Sequence, residues 1–347
     1  MIRPFHLRDT FAVARLQQVG VPLDVEEQLT HPRSPLRSVL IDGILSPHAG
    51  PSTFILDQRD EHGRHLGLAQ MRSRSGRPEK DVVFVAPALD VGNGSHAIWQ
   101  RLLTHLCIQT AERGNLRLYA GLPVESEELQ LFKNVGFVPY SQEDIFQLSP
   151  DAPGLTTEPG LTLRPQEASD GWGLQKLYGT ITPRTVQNIE GLAQGQWALP
   201  NRRWGEQGRR AGYVWEEGGD LLGALYLRTG KEGYWIRTLL HPDAVDEATA
   251  FIQAAMKIVS RKADLPIFFA IRQYEIGWRS VLTDLGFQPH TSQTLVVKPM
   301  TVRVRKKSSI LIPALEKSSS EGAATTARSR TDIPPVEPTA AWDGSPQ

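Results

Sequence analysis

The sequence predicts an α/β protein in which two tandem domains share one mixed-sheet fold. Three observations favour this fold class. The chain has 347 residues, which is too long for one ordinary domain. Short signatures recur in its two halves in the same order, and strand-like and helix-like patterns alternate along each half. We therefore expect two copies of a mixed sheet with helices on its faces.

The internal repeat rests on four pairs of three-residue signatures. The pairs are Ile2-Arg3-Pro4 with Leu163-Arg164-Pro165, Gly67-Leu68-Ala69 with Gly223-Ala224-Leu225, Val85-Ala86-Pro87 with Leu240-His241-Pro242, and Val135-Gly136-Phe137 with Leu285-Gly286-Phe287. The spacing between the two members of a pair shortens steadily along the chain. Four pairs in order indicate a duplication whose second copy has slightly shorter loops.

Composition sets the expected domain boundaries. We predict a first domain at residues 1–150, a linker at 151–160 that is rich in proline and glycine, a second domain at 161–302 and a disordered tail at 303–347. The tail opens with a basic run and continues mostly with Ser, Ala, Thr, Pro and Glu. Such a composition buries too little apolar surface to offset the entropy of ordering.

Composition also narrows the function classes. Lys plus Arg equals Asp plus Glu at 38 each, so no net charge would draw the chain to nucleic acid or to an anionic membrane. The sequence has no run of about 18 apolar residues, and the stretch from Met1 to Val25 lacks the apolar core of a signal peptide. We expect a soluble cytoplasmic protein that does not bind a membrane, and binding to nucleic acid would need a local basic patch. Its oligomeric state is left open.

The single cysteine, Cys107, excludes an intrachain disulfide and a zinc site built from thiolates. It falls at an apolar position of a predicted helix. This position predicts core packing rather than a reactive thiol, and no metal site is predicted.

Periodicity places the elements of the first copy in order. Strands are predicted at Ile2–Leu7, Thr53–Asp57, His65–Arg72, Val82–Val85, Leu116–Ala120 and Ile145–Leu148, and helices at Asp9–Gln18, Ser95–Arg113 and Glu127–Asn134. The run Val82–Val85 is β-branched and aromatic throughout, which is typical of a strand buried on both faces, and Pro87 ends it. Apolar residues at three- and four-residue spacing define the helix that begins at Ser95, and Gly114 follows it where a left-handed C-cap is needed.

A glycine-containing turn between this strand and this helix is the motif that best carries chemistry. Gly92 and Gly94 would let the backbone approach a phosphate closely, and the helix N-terminus offers unpaired N–H groups and a favourable dipole. Ser95 is suited to cap the helix. The alternative is an ordinary tight turn with Asn93 in the left-handed conformation.

In this context the segment from Met1 to Leu148 resembles the GNAT acyltransferase superfamily. Its coenzyme A loop reads Gln/Arg-x-x-Gly-x-Gly/Ala, and the two glycines of that loop align with Gly92 and Gly94. The resemblance implies acetyl-CoA as co-substrate, with one group of residues along the pantetheine arm and a second around the pyrophosphate. The first group is Val83, Phe84 and Val85, and the second is Val91, Gly92, Asn93, Gly94 and Ser95.

Three positions depart from the pattern of the family. Leu89 stands where the loop has Gln or Arg, Phe132 stands where many members have a tyrosine that acts as general acid, and Glu125 replaces a frequent asparagine. The candidate catalytic residues that remain are Tyr140, Tyr119 and Glu125. Each has a structural alternative, as a loop anchor, a sheet residue and part of an acidic helix start, respectively.

The second copy is predicted to be degenerate. Glu247 and Thr249 occupy the positions of the two glycines, and carboxylates near this helix start would repel a pyrophosphate. Two other features could bind a planar or anionic ligand or form the edge of a core, and the first could also stack on single-stranded nucleic acid. One combines Trp197, Trp204, Tyr213 and Trp215 with Arg202, Arg203, Arg209 and Arg210, and the other is Arg272 with Tyr274.

The sequence leaves two functions open. The first is an N-acetyltransferase that moves an acetyl group from acetyl-CoA to a primary amine, on a small molecule or a peptide, in a groove between the two halves. The second is a catalytically inactive protein with the same fold, acting as a coenzyme A sensor or an interaction scaffold. Leu89, Phe132 and the second copy favour the inactive alternative.

Overall fold

The computed structural model describes residues 1–39, 52–61, 63–74, 77–91, 94–151, 160–191, 209–259 and 265–300. Met1–Arg303 belongs to one compact unit. The predicted tail and most of the predicted linker lie outside the described residues. None of the helices in the described ranges is long and apolar enough to cross a membrane.

The described strands number thirteen and belong to one mixed sheet. They are β1 Ile2–Pro4, β2 Val21–Pro22, β3 Thr53–Asp60, β4 Gly63–Ser73, β5 Glu79–Ala86, β6 Arg117–Pro123, β7 Val138–Leu148, β8 Arg164–Pro165, β9 Arg209–Glu217, β10 Asp220–Thr229, β11 Tyr234–Leu240, β12 Ile267–Arg272 and β13 Gln288–Pro299. The described helices are α1 Thr10–Leu16, α2 Val25–Thr30, α3 Ser95–Glu112, α4 Glu127–Asn134, α5 Gly171–Ile181, α6 Arg184–Glu190, α7 Ala248–Val259 and α8 Trp278–Asp284.

The two halves repeat one order of elements but exchange their last strands. The sheet runs β1-β3-β4-β5-β6-β13-β7-β12-β11-β10-β9-β8, with β2 attached to β5. The last strand of the second half, β13, pairs with β6 of the first, while β7 of the first half pairs with β12 of the second. The two exchanged strands pair with each other at the centre. The exchange therefore joins the halves through continuous backbone hydrogen bonds.

The first half has an apolar core under α3 and α4. The second half has a separate apolar core under the corresponding helices, α7 and α8. Cys107 is buried in the first of these cores, and burial raises the pKa of its thiol to about 11. The prediction that Cys107 packs in a core is confirmed. Helix α4 has its predicted bounds, α3 ends one residue early at Glu112, and Gly114 has the positive φ of 72° that a left-handed cap requires.

In the first half, β7 is longer than predicted, and β2 and α2 were not predicted. Strand β7 begins at Val138 rather than at Ile145, because Ser141 and Glu143 are buried between β13 and β12 rather than exposed in a loop. Strand β2 and helix α2 are short and lack clear periodicity. Helix α2 packs against β11 of the other half, so it forms part of the contact between the two halves.

Candidate functional site

The strands β5 and β6 diverge after a short parallel pairing. They pair only where Glu79–Asp81 meets Arg117–Tyr119. Gln70 of β4 lies opposite Phe84 of β5, and the next residue, Met71, lies opposite Val82. Val83 therefore has no partner on β4 and forms a β-bulge. The divergence and the bulge create a gap beside β5, the strand whose Val83, Phe84 and Val85 are predicted to bind the pantetheine arm.

The start of α3 has the predicted geometry in part. Gly94 is the N-cap with φ 94°, and the Ile98 N–H donates to its carbonyl at 3.1 Å, so the first turn keeps N–H groups that the helix does not use. Ser95 does not cap the helix, because its hydroxyl donates to the Val91 carbonyl at 2.7 Å. Gly92 and Asn93 lie outside the described residues. What is described of this turn suits an anion such as a pyrophosphate.

The two positions that depart from the family pattern near this turn are core residues. Leu89 is buried in the first core. Phe132 is fully buried there, with its ring edge-on to Trp99 at 6.3 Å and to Phe137 at 4.8 Å between centroids. Neither side chain offers a polar group to a ligand.

The gap beside β5 is filled by the chain itself. The Leu23 N–H donates to the Val83 carbonyl at 2.9 Å, and the Ala88 N–H donates to the Val19 carbonyl at 2.6 Å. Between these bonds, Val21 pairs with Val85 and Pro22 with Phe84. Backbone groups on this edge of β5 are therefore already bonded along the segment Val19–Leu23.

The side chain of Leu23 completes the filling. It is 4% exposed and belongs to the core under α3 and α4, together with Val85 of β5 and Ala120 and Leu122 of β6. At Gly121 of β6, a Cβ would lie 3.6 Å from the Leu23 carbonyl oxygen, so the segment Val19–Leu23 runs between the two strands. The segment Val19–Leu23 therefore occupies the edge of β5 at which the pantetheine arm of an acyl-CoA was predicted to bind.

In the described part of the second half, the corresponding strands and turn do not offer a replacement site. Its strands β11 and β12 pair in parallel from Tyr234 to Arg237. The turn that follows, Pro242–Glu247, is a 3-10 helix in which Asp243, Asp246 and Glu247 are exposed. These carboxylates precede α7 where a pyrophosphate would bind, and they would repel it.

Two of the three candidate catalytic residues come together. The rings of Tyr119 and Tyr140 lie 6.2 Å apart, and their hydroxyls donate to the Ile189 carbonyl at 2.7 Å and to Glu190 Oε1 at 3.4 Å. Burial, and then Glu79, raise the pKa of Tyr119 to about 12, and burial with Glu190 raises the pKa of Tyr140 further. Both hydroxyls are therefore protonated at neutral pH and anchor the second half against the first.

Glu125, the third candidate, lies apart from the two tyrosines. It follows the end of β6 in a tight turn with φ 59°, whereas Tyr119 lies near the start of that strand. Its neighbour Ser126 caps α4 by accepting the Leu129 N–H at 3.2 Å. The structure places Glu125 at a helix start, in agreement with its structural alternative.

A cavity of about 1450 Å³ lies between the halves, on the side of the sheet that carries α2; it is called the central cavity below. The residues that line it include nine Arg and Lys and six Asp and Glu. The sequence predicted a groove between the two halves but not the residues that line it, because its walls come from both halves. Among the described residues, no group of three or more His, Cys, Asp or Glu side chains could hold a metal ion.

A buried ion-pair network lies at the end of the central cavity. Arg272 has its Nε 3.2 Å from Glu143 Oε1, and its Nη2 donates to Glu190 Oε1 at 3.1 Å. Glu190 also accepts the Tyr178 hydroxyl at 2.8 Å. Glu143 also accepts the Gln293 amide at 2.6 Å. Glu143, on β7 of the first half, is thereby held by donors from the second half, and Glu190 of the second half also accepts the Tyr140 hydroxyl of the first.

This network predicts a pH dependence through Glu275. Burial raises the pKa of its carboxyl from 4.5 to about 7, although its Oε2 accepts the Arg272 N–H at 2.6 Å. A carboxyl whose pKa is raised on folding stabilises the fold below its unfolded-state pKa and loses that contribution as the pH rises through 7. The free energy of unfolding should therefore fall by about 1 to 3 kcal/mol between about pH 5 and pH 8.

The matched variant is Glu275→Gln, which keeps an acceptor for the Arg272 N–H and cannot ionise. Urea unfolding at several pH values should show that the variant is more stable than the wild type at pH 8 and equal to it at pH 5. Parallel profiles for the two proteins would contradict the assignment to Glu275.

Comparison with known proteins finds likeness at the level of structure. No protein-family model matches the sequence, and no curated protein matches it. A GCN5-related N-acetyltransferase from Sphaerobacter thermophilus superposes with a TM-score of 0.52 at 15% identity, over 87% of this chain and 96% of that chain. A tandem GNAT protein from the clavulanic acid biosynthesis pathway, without AcCoA, gives a TM-score of 0.49 at 14% identity, over 87% and 99%.

Proposed function

We propose that this chain, which has the fold of the GNAT N-acetyltransferases, works as a ligand-binding protein and does not use acetyl-CoA as a co-substrate. The fold supports acyl transfer as a general activity, but function depends on the residues of the site. One observation carries the proposal: Val19–Leu23 bonds to β5 and fills the gap that the arm of an acyl-CoA would need. A cytoplasmic location belongs to the same proposal.

Two further features support it. Phe132 has no proton to give to a departing thiolate and is packed in the core. The second half presents Asp243, Asp246 and Glu247 where it would need to attract a pyrophosphate. The central cavity, by contrast, has polar walls from both halves and is large enough for a small molecule.

The competing candidate is an N-acetyltransferase that transfers the acetyl group of acetyl-CoA to a primary amine. The N-terminus of α3 at Gly94 and the divergence of β5 from β6 favour it. It requires Val19–Leu23 to leave β5, which would break the bond from Leu23 to Val83 and the bond from Ala88 to Val19.

The test is isothermal titration of acetyl-CoA into the full chain, followed by a thiol-release assay with a panel of primary amines. We expect no thiol release with any amine above the background without protein. Release that depends on both an amine and the protein would overturn the proposal in favour of the acetyltransferase. Binding of one equivalent without release would identify a coenzyme A sensor.

A further inference from the structure

We propose that the central cavity binds a small molecule through an oxyanion, either a carboxylate or a phosphate, at a wall of four arginines. The arginine wall consists of Arg210, Arg228, Arg237 and Arg272, all of which line the cavity. The inference names the ligand class of the binding function proposed above and rests on that function.

The register of the sheet brings the arginine wall together. Four adjacent strands, β9 to β12, each contribute one arginine. Arg210 pairs across the sheet with Arg228, and Arg228 with Trp235. Arg237 lies two residues after Trp235 and Arg272 two residues after Ala270, the partner of Arg237. Because side chains two residues apart share a face of a strand, the four arginines and Trp235 point to the same side of the sheet.

The cavity wall contains buried donors that lack an acceptor. Arg272 is 6% exposed and its Nη1 has no hydrogen-bond partner in the described part of the chain. Trp235 is 1% exposed and its Nε1 has none there either. A buried hydrogen-bond donor without a partner destabilises a protein, and a bound ligand that accepts its hydrogen bond removes this cost. Among the described residues that line the cavity, the buried side-chain atoms without a partner are all N–H donors, which an oxyanion would satisfy.

The charges point to the same ligand class. Arg228 donates to Glu26 at 2.9 Å, but Arg237 is 3.7 Å from Glu143 and Arg210 is 4.0 Å from Glu26, both too long for a hydrogen bond. The nearby Glu143 and Glu190 are already held by other donors. With nine cationic against six acidic residues, the cavity lining attracts an anion, and the planar guanidinium groups suit the two oxygens of a carboxylate or phosphate.

The direct test observes Trp235. Labelling the full chain with [¹⁵N]tryptophan gives an indole signal for each of its eight tryptophans, and the signal that is missing in Trp235→Phe identifies Trp235. We titrate the labelled protein with inorganic phosphate and, separately, with succinate. A saturable shift of the Trp235 signal by either anion supports the inference, and the stronger of the two distinguishes phosphate from carboxylate ligands. No shift with either anion overturns it.

Affinity measurements on two matched variants complete the test. Arg237→Gln removes one charge from the arginine wall, and because its ion pair with Glu143 is as long as 3.7 Å, we expect the variant to fold. Its affinity for the binding anion should fall by about tenfold or more. Arg279→Gln removes one charge from an exposed arginine outside the cavity lining and should change the affinity by less than about twofold.

Equal effects of the two variants would overturn the inference, because they would show that the affinity for the anion depends on the net charge of the protein and not on the arginine wall. The outcome is distinguishable from failure of the proposed function. The proposed function fails on amine-dependent release of thiol from acetyl-CoA, whereas this inference fails on the phosphate and succinate titrations, in which no acyl donor is present.

Discussion

Replacing Glu190 by alanine should lower the free energy of unfolding by about 3 to 5 kcal/mol. Glu190 ends α6 and is buried between the halves, where it accepts hydrogen bonds from Tyr178, Tyr140 and Arg272. Removing its carboxylate leaves two hydroxyls without an acceptor and leaves Arg272 as a buried cation with Glu143 as its remaining partner. Removing one partner of a buried ion pair lowers the free energy of unfolding by more than the intact pair contributes to it, because the other charge stays buried without a partner.

Urea unfolding followed by circular dichroism measures this change, with two controls. Glu190→Gln should lose less, about 1 to 2 kcal/mol, because the amide oxygen still accepts from Tyr178. Glu217→Ala removes an exposed carboxylate at the end of β9 and should stay within about 0.5 kcal/mol of the wild type. A loss for Glu190→Ala as small as that for Glu217→Ala would show that the network does not hold the halves together.

Glu190 also shows why the two halves act as one structure. Next to it along the chain, the carbonyls of Asn188 and Ile189 accept from Arg117 and Tyr119 of the first half, and the Glu190 carbonyl accepts from Arg77. Helix α2 of the first half packs in turn on β11 of the second. Each half thus packs its second helix, α2 or α6, against the other half, just as the halves exchange the strands β7 and β13. The central cavity lies between the two halves at these contacts.

Much of the fold could be predicted from the sequence because it is encoded locally. The spacing of apolar residues predicted α3 and α4. Strand β5 was predicted to end at Val85 before Pro87, and it ends one residue later at Ala86. Three-residue signatures were enough to predict the duplication. The exchange of β7 and β13 was not predictable, because a strand pattern shows which faces are buried and does not show which neighbour it pairs with.

The site was harder to predict for a related reason. The turn before α3 suggested a phosphate site, and Gly94 has the expected geometry, but Val21 and Leu23 carry no local signal that they would lie between β5 and β6. Arg272 was singled out from the sequence together with Tyr274, as a possible ligand contact. Its relation to Arg237 and Trp235 depends on the register of β11 with β12, which only the folded sheet provides.

Replacing Leu23 by alanine should lower the free energy of unfolding by about 2 to 4 kcal/mol. The side chain is 4% exposed and packs with Val85, Ala120 and Leu122 in the core under α3 and α4, so the substitution leaves a cavity there. The matched control is Leu7→Ala, since Leu7 is 75% exposed and the same chemical change should cost less than about 0.5 kcal/mol. Urea unfolding of the two variants beside the wild type measures the difference. Equal, small losses would mean that Leu23 is not part of the core, and the proposed function would lose the observation that carries it.

The free energy that Leu23 contributes is also part of the free-energy cost of moving Val19–Leu23 away from β5, which an acyl-CoA must overcome in order to bind there. A ligand that binds only after Val19–Leu23 has left β5 has its apparent affinity reduced by the cost of that opening, and about 3 kcal/mol corresponds to more than 100-fold. Leu23→Ala lowers this cost, so titrating acetyl-CoA into the variant and the wild type separates a closed site from an absent one. Tighter binding by the variant would show that the segment closes a working coenzyme A groove. Absence of binding in both would show that the gap between β5 and β6 has become part of the core.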